Sequence, residues 1–100
     1  MSASPKTTLP LPEGIDLDKE TVIVGRVVDG AGHAVAGASV RLLDSAQEFT
    51  AELVATAGGD FRFFAAPGRW TVRALSTVGN GDVTLVPSGA GLHEVDVKVA

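Results

Sequence analysis

The sequence predicts an all-β domain, a sandwich of seven antiparallel strands with Greek-key connections. Three observations carry this. Runs of β-branched and aromatic residues recur about every 8 to 12 residues. Gly, Pro, Asn or Asp ends each run, supplying a positive φ, a fixed φ or a side chain that bonds the local backbone. No window keeps the i, i+3, i+4 apolar spacing of an amphipathic helix.

The first strand is expected at Thr21 to Val28, TVIVGRVV, closed by Asp29-Gly30-Ala31-Gly32. Gly37 bends the chain into a second, Ala38 to Leu43, ended by Asp44 and Ser45. A third runs Phe49 to Thr56, and Gly58-Gly59-Asp60 turns it into a fourth at Phe61 to Phe64, so that the two read as a hairpin. Pro67-Gly68 makes the next turn and leads to a fifth strand at Trp70 to Leu75. Asn80-Gly81 reads as a turn before a sixth strand, Asp82 to Val86. After the polar loop Pro87 to Gly91, the alternating stretch His93 to Val99 is the seventh. No connection is long enough for a crossover helix, which excludes a parallel α/β architecture.

Alternation places Ile23, Val27, Val40, Leu42, Leu53, Phe61, Phe63, Trp70, Val72, Val95, Val97 and Val99 inward. Gly25 then falls where a strand or a large ring comes close. Phe63 and Phe64, Leu42 and Leu43, and Val22 to Val24 cannot all face one way, so apolar side chains remain outside that core. Phe64 is therefore a candidate for a subunit or partner contact, the alternative being cover by the N-terminal arm.

Residues 1–18, MSASPKTTLPLPEGIDLD, hold three of the five prolines and are expected to form an extended or disordered arm ahead of the domain at 19–100. The arm has no run of signal-peptide length and the chain no apolar stretch long enough to span a bilayer, so a cytoplasmic protein without a membrane partner is expected. The net charge of −4, with Lys and Arg scattered singly, argues against nucleic acid. Cys is absent, which removes disulfides, thiolate nucleophiles and sulfur ligands.

No catalytic, cofactor or metal site is expected. His33 and His93 are the only histidines, too few for a zinc site without Cys. Ser39, Ser45, Ser76 and Ser88 fall at strand ends and turns, where hydroxyls bond local backbone. Asp44, Glu48, Glu52 and Asp60 read as turn-forming and solubilising residues rather than a calcium site. Arg41, Arg62 and Arg73 fall mid-strand and point away from the core. Ranked across a sheet face they suit a partner carboxylate or another anion. The alternative is cross-strand pairing with Glu52, Glu94 or Asp96, worth under about 1 kcal/mol each. Phe64, Arg41, Arg62 and Arg73 make up the expected partner surface.

The segments VIVGRVVDGAGHAVAGASVRLLD and GGDFRFFAAPGRWTVRAL resemble the carboxypeptidase regulatory-like family of transthyretin- and immunoglobulin-type sandwiches. There the glycine-rich turn and the PGxWTV segment serve turns and core. Over roughly residues 15 to 99, RLLDSAQEFTAE, DFRFFAAPG and PSGAGLHEVDVKV resemble the small actinobacterial proteins called SseC, encoded beside thiosulfate sulfurtransferases. That resemblance implies a role in sulfur metabolism and brings no catalytic residues with it. Its members often begin Met-Cys, where this chain has Ser2. The transthyretin-related ureide hydrolases end in Tyr-Arg-Gly-Ser, and this chain ends VDVKVA. The expected function is thus a non-catalytic interaction module, docking on a thiosulfate sulfurtransferase or on itself. A small-ligand or carbohydrate-binding sandwich is the alternative, disfavoured by one Trp and no Tyr, and an enzyme acting on a sulfur compound ranks last.

Overall fold

Among the described residues seven strands form: β1 (Thr21–Val28), β2 (Ser39–Leu43), β3 (Phe49–Val54), β4 (Asp60–Phe64), β5 (Trp70–Ser76), β6 (Gly79–Leu85) and β7 (Gly91–Lys98). The structure, a computed structural model, describes residues 20–100. The expectations for the arm and for Ser2 lie outside the described residues.

The strands divide into a three-stranded sheet, β4-β1-β7, and a four-stranded sheet, β3-β2-β5-β6. Inward side chains of both make one core. Ile23, Val27, Val40, Leu42, Phe61, Phe63, Val72, Val97 and Val99 are buried in it, and Leu53, Trp70 and Val95 pack against its rim. All twelve residues predicted inward therefore face the core. Ala38, Ala55 and Ala74 join them as small residues that let the layers close. Phe61 and Phe63 meet as tilted rings, centroids 6.0 Å apart. Gly25 behaves as expected, because a Cβ there would overlap the Val95 carbonyl and come within 2.9 Å of the Phe61 ring.

Three sequence expectations are corrected. The pairing is not wholly antiparallel, since β1 and β7 run parallel from Thr21↔Gly91 to Val28↔Lys98. No crossover helix is needed, because β2 to β6 together bring the chain back to the same end. Nor are β3 and β4 a paired hairpin, for they belong to different sheets. The turn between them is tight, Gly59 N bonding Thr56 O at 2.9 Å and Thr56 N bonding Asp60 O at 3.1 Å. It carries the chain across the sandwich because Gly59, at φ 80°, sits directly under the Val27 carbonyl.

The third correction concerns Asn80-Gly81, which is not a turn but part of β6. The reversal comes earlier, at Ser76–Gly79. Ser76 Oγ donates to Gly79 O at 2.7 Å and accepts from Val78 N at 3.3 Å. Gly79 supplies the positive φ, 142°. Gly81 is needed for a different reason, since a Cβ there would overlap the Lys98 carbonyl where β6 meets β7.

Candidate docking surfaces

Register and alternation set the outward rows of each sheet. On the four-stranded sheet, Arg41 and Arg73 are direct cross-strand neighbours, with Glu52 opposite Arg41 on β3 and Asp82 opposite Arg73 on β6. The row Glu52–Arg41–Arg73–Asp82 thus alternates an acid at each edge with two central guanidinium groups. Arg41 Nε reaches Glu52 Oε2 at 3.2 Å, and Arg73 Nη2 reaches Asp82 Oδ2 at 3.3 Å. Ser39 Oγ also donates to the Glu52 carboxylate, and that bond with the Arg41 one holds the Glu52 carboxyl below the usual range. The row is neutral and internally satisfied.

The outer face of the three-stranded sheet differs. Its rows are Phe64–Val22–Leu92, Arg62–Val24–Glu94 and Asp60–Arg26–Asp96, reading β4, β1 and β7. Phe64 is 48% exposed and Leu92 39%, while Val22 between them is fully buried. The Arg62 guanidinium stands 5.7 Å from the centre of the Phe64 ring. Beside that ring a shallow groove of about 360 Å³ is lined by Glu20, Thr21, Ala65, Ala66 and Pro67.

The four residues expected to form one surface therefore lie on two opposite faces. Phe64 and Arg62 share the three-stranded sheet, and Arg41 and Arg73 share the other. Sequence reasoning did not find Asp82 or Leu92, whose partners depend on which strands are neighbours. The signal was partly present, since Glu52 was named as a partner for the arginines.

The remaining candidates take local roles. Asp44 Oδ1 accepts from Ala46 N at 2.9 Å and Glu48 N at 3.0 Å, closing the β2–β3 turn. Asp29 Oδ1 accepts from Ala31 N and His33 N, both at 2.9 Å, and the His33 amide is the main reason its carboxyl lies below the ordinary value. His93 Nε2 lies 2.8 Å from Gly89 O. Trp70 Nε1 donates to Ala66 O at 2.7 Å. Among the described residues no three His, Asp or Glu side chains group as metal ligands would.

A family described as "Protein of unknown function (DUF1416)" matches residues 2–99. The chain belongs to the DUF1416 family. Among its relatives, the "Uncharacterized protein Rv0814c" of Mycobacterium tuberculosis is 70% identical over 99 residues, 99% of each chain. A Mycolicibacterium smegmatis protein is 74% identical over 90 residues, covering 90% of this chain and 100% of its own. Solved structures share the fold. The 5-hydroxyisourate hydrolase of Klebsiella pneumoniae superposes with TM-score 0.57 at 20% identity, over 82% of this chain and 90% of that one. A DUF3823 family protein from Parabacteroides merdae gives 0.62 at 19% identity over 82% of this chain, which spans 46% of its length. This DUF1416 chain thus has a transthyretin-like sandwich, the likeness at these identities extending to fold alone.

Proposed function

We propose that the domain is a non-catalytic cytoplasmic docking module, that its partner is a thiosulfate sulfurtransferase, and that Phe64 is the anchor of the contact. The observation that carries this reading is the half-exposed Phe64 ring beside the Arg62 guanidinium, at the mouth of an open groove. Aromatic and arginine side chains are the groups that most often dominate binding energy, and a cationic group beside a ring limits its rotamers before binding. The choice of partner rests on the SseC resemblance of RLLDSAQEFTAE, DFRFFAAPG and PSGAGLHEVDVKV.

Light scattering of the protein mixed with the sulfurtransferase of the same genome tests this. The expected result is a defined complex, weakened at least about 30-fold by Phe64→Asp and unchanged by Arg73→Ala on the opposite face. Circular dichroism should show both variants folded, because Phe64 lies outside the core cluster. Absence of a complex, or one indifferent to Phe64→Asp, refutes the reading.

A further inference from the structure

Asn80 is the only asparagine of the chain, and a glycine follows it. The pair makes no turn, since both residues belong to β6. What it does have is a chemistry of its own. A side-chain carboxamide can be attacked by the amide nitrogen of the next residue, and a glycine there leaves that nitrogen unhindered, having no Cβ. Asn80 is exposed, and its carboxamide makes no hydrogen bond among the described residues. The group that would be attacked is therefore free, and only the backbone decides whether the attacking nitrogen can reach it.

In the folded chain it cannot. The Asn80 carbonyl accepts from Ala100 N at 3.3 Å, on the side away from β5. Backbone groups point alternately to the two sides of a strand, so the Gly81 amide faces β5, where Ala74 is its partner. The nitrogen is held in the ladder, and the extended backbone keeps it from closing a ring with Asn80 Cγ. β6, however, is the outermost strand of its sheet, with a ladder to β5 alone. A strand in that position opens more readily than a central one. On its other side β6 meets β7 without slack, since a Cβ at Gly81 would overlap the Lys98 carbonyl.

We propose that Asn80 is a site of spontaneous covalent modification, opened to reaction when β6 leaves β5, and that one of its two products cannot re-enter the sheet. Once β6 is released, the Gly81 amide gives its proton to hydroxide and its nitrogen bonds to Asn80 Cγ. The side-chain amide leaves as ammonia, closing a five-membered imide. Water then adds to one of the two imide carbonyls and breaks its bond to nitrogen. Opening at the former main-chain carbonyl routes the backbone through the side chain and gives an iso-aspartyl linkage. Opening at Cγ gives an ordinary aspartate at position 80. The ordinary product keeps the backbone length and adds a negative charge two residues from Asp82 on the same face. The iso-aspartyl product lengthens the backbone by one carbon and turns the carbonyl that accepted from Ala100 N into a free carboxylate. Gly81 has no room to absorb the added length, because the Lys98 carbonyl already fills the space beside it. A single opening of β6 is thereby fixed as a lasting detachment of this strand from β7.

Peptide mass spectrometry of the full chain, aged in mildly alkaline buffer with and without urea, tests this. The expected result is amide-to-acid conversion at Asn80 in both samples, at least about tenfold slower in the native one. Equal rates would show that the fold does not gate the reaction, and a native sample left unconverted while the urea sample reacts fully would show that β6 does not open. Either overturns the proposal. Two variants separate local from global opening. Ser76→Ala removes the bonds that Ser76 Oγ makes to Gly79 O and Val78 N in the turn into β6, and should speed conversion several-fold. Phe63→Leu weakens the core in the other sheet, and should change the rate far less at equal loss of stability to urea. A larger effect from Phe63→Leu would place the reaction in the globally unfolded chain and reject the local gate. In the isolated iso-aspartyl product, amides of β6 should exchange with solvent at least about tenfold faster than in fresh protein. Unchanged exchange there would refute the lasting detachment.

Discussion

A methyl group at Gly25 would overlap the Val95 carbonyl on one side and press on the Phe61 ring on the other. Both neighbours belong to strands paired with β1, so neither moves without disturbing a ladder. Gly25→Ala should therefore cost at least about 2 to 3 kcal/mol, measured by urea unfolding. A loss near zero would mean that β1 and β7 stand further apart than described. This requirement was legible, because a glycine weakens the middle of a β-branched run unless something must approach it closely. Glu52 is a different case. Its carboxyl is held low by Ser39 first and Arg41 second, a shift that depends on two other positions of the fold. A lowered folded pKa means that the contribution to stability is present above the unfolded value and is lost as pH falls through the folded one. Carboxyl titration by NMR should place Glu52 below an ordinary glutamate, and Ser39→Ala should move it back toward that value. Glu52 titrating normally in the wild type would show that the bonds do not persist in solution.

At the scale of the elements, position within each sheet sets the order of opening. β1, β2 and β5 have ladders on both sides, whereas β3 and β4 are edges. Hydrogen exchange should find amides of β1 at least about tenfold slower than those of β3. Equal rates would indicate that the sandwich opens as a single unit. Strand existence was legible throughout, and most boundaries fell within a residue or two, because alternation and turn residues are local signals. What the local signals misassigned was purpose. Asn80-Gly81 has the composition of a turn, but Gly81 is required for close approach to β7, and the reversal is made by Ser76 and Gly79. Similarly, Gly58-Gly59-Asp60 does make a tight turn, yet burial of Gly59 beneath Val27 sends the chain into the opposite sheet.

For the molecule as a whole, the two sheet faces have become chemically distinct. One carries the neutral row Glu52–Arg41–Arg73–Asp82, and the other the apolar row Phe64–Val22–Leu92 beside rows that carry Arg62, Glu94, Arg26 and Asp96. The sequence supplied the residues of both faces but merged them into one surface. Nothing local in a strand tells which of two sheets it will join, and that choice decides whether Arg41 and Arg62 are neighbours or stand on opposite sides. The core was read almost completely because burial follows alternation, whereas the arrangement of surface groups follows topology.

The parallel pairing of β1 with β7 also bears on how the chain is made. Of the seven described strands a ribosome releases β1 first and β7 last, so β1 waits through the synthesis of the other five with the side of its backbone that pairs β7 unsatisfied. Val97 and Val99, which close one end of the core, arrive with that final segment. Assembly of the three-stranded sheet is thereby deferred until translation has passed β7, and a nascent chain stalled before it exposes a long valine-rich strand with an open edge, the kind of surface that chaperones exist to shield.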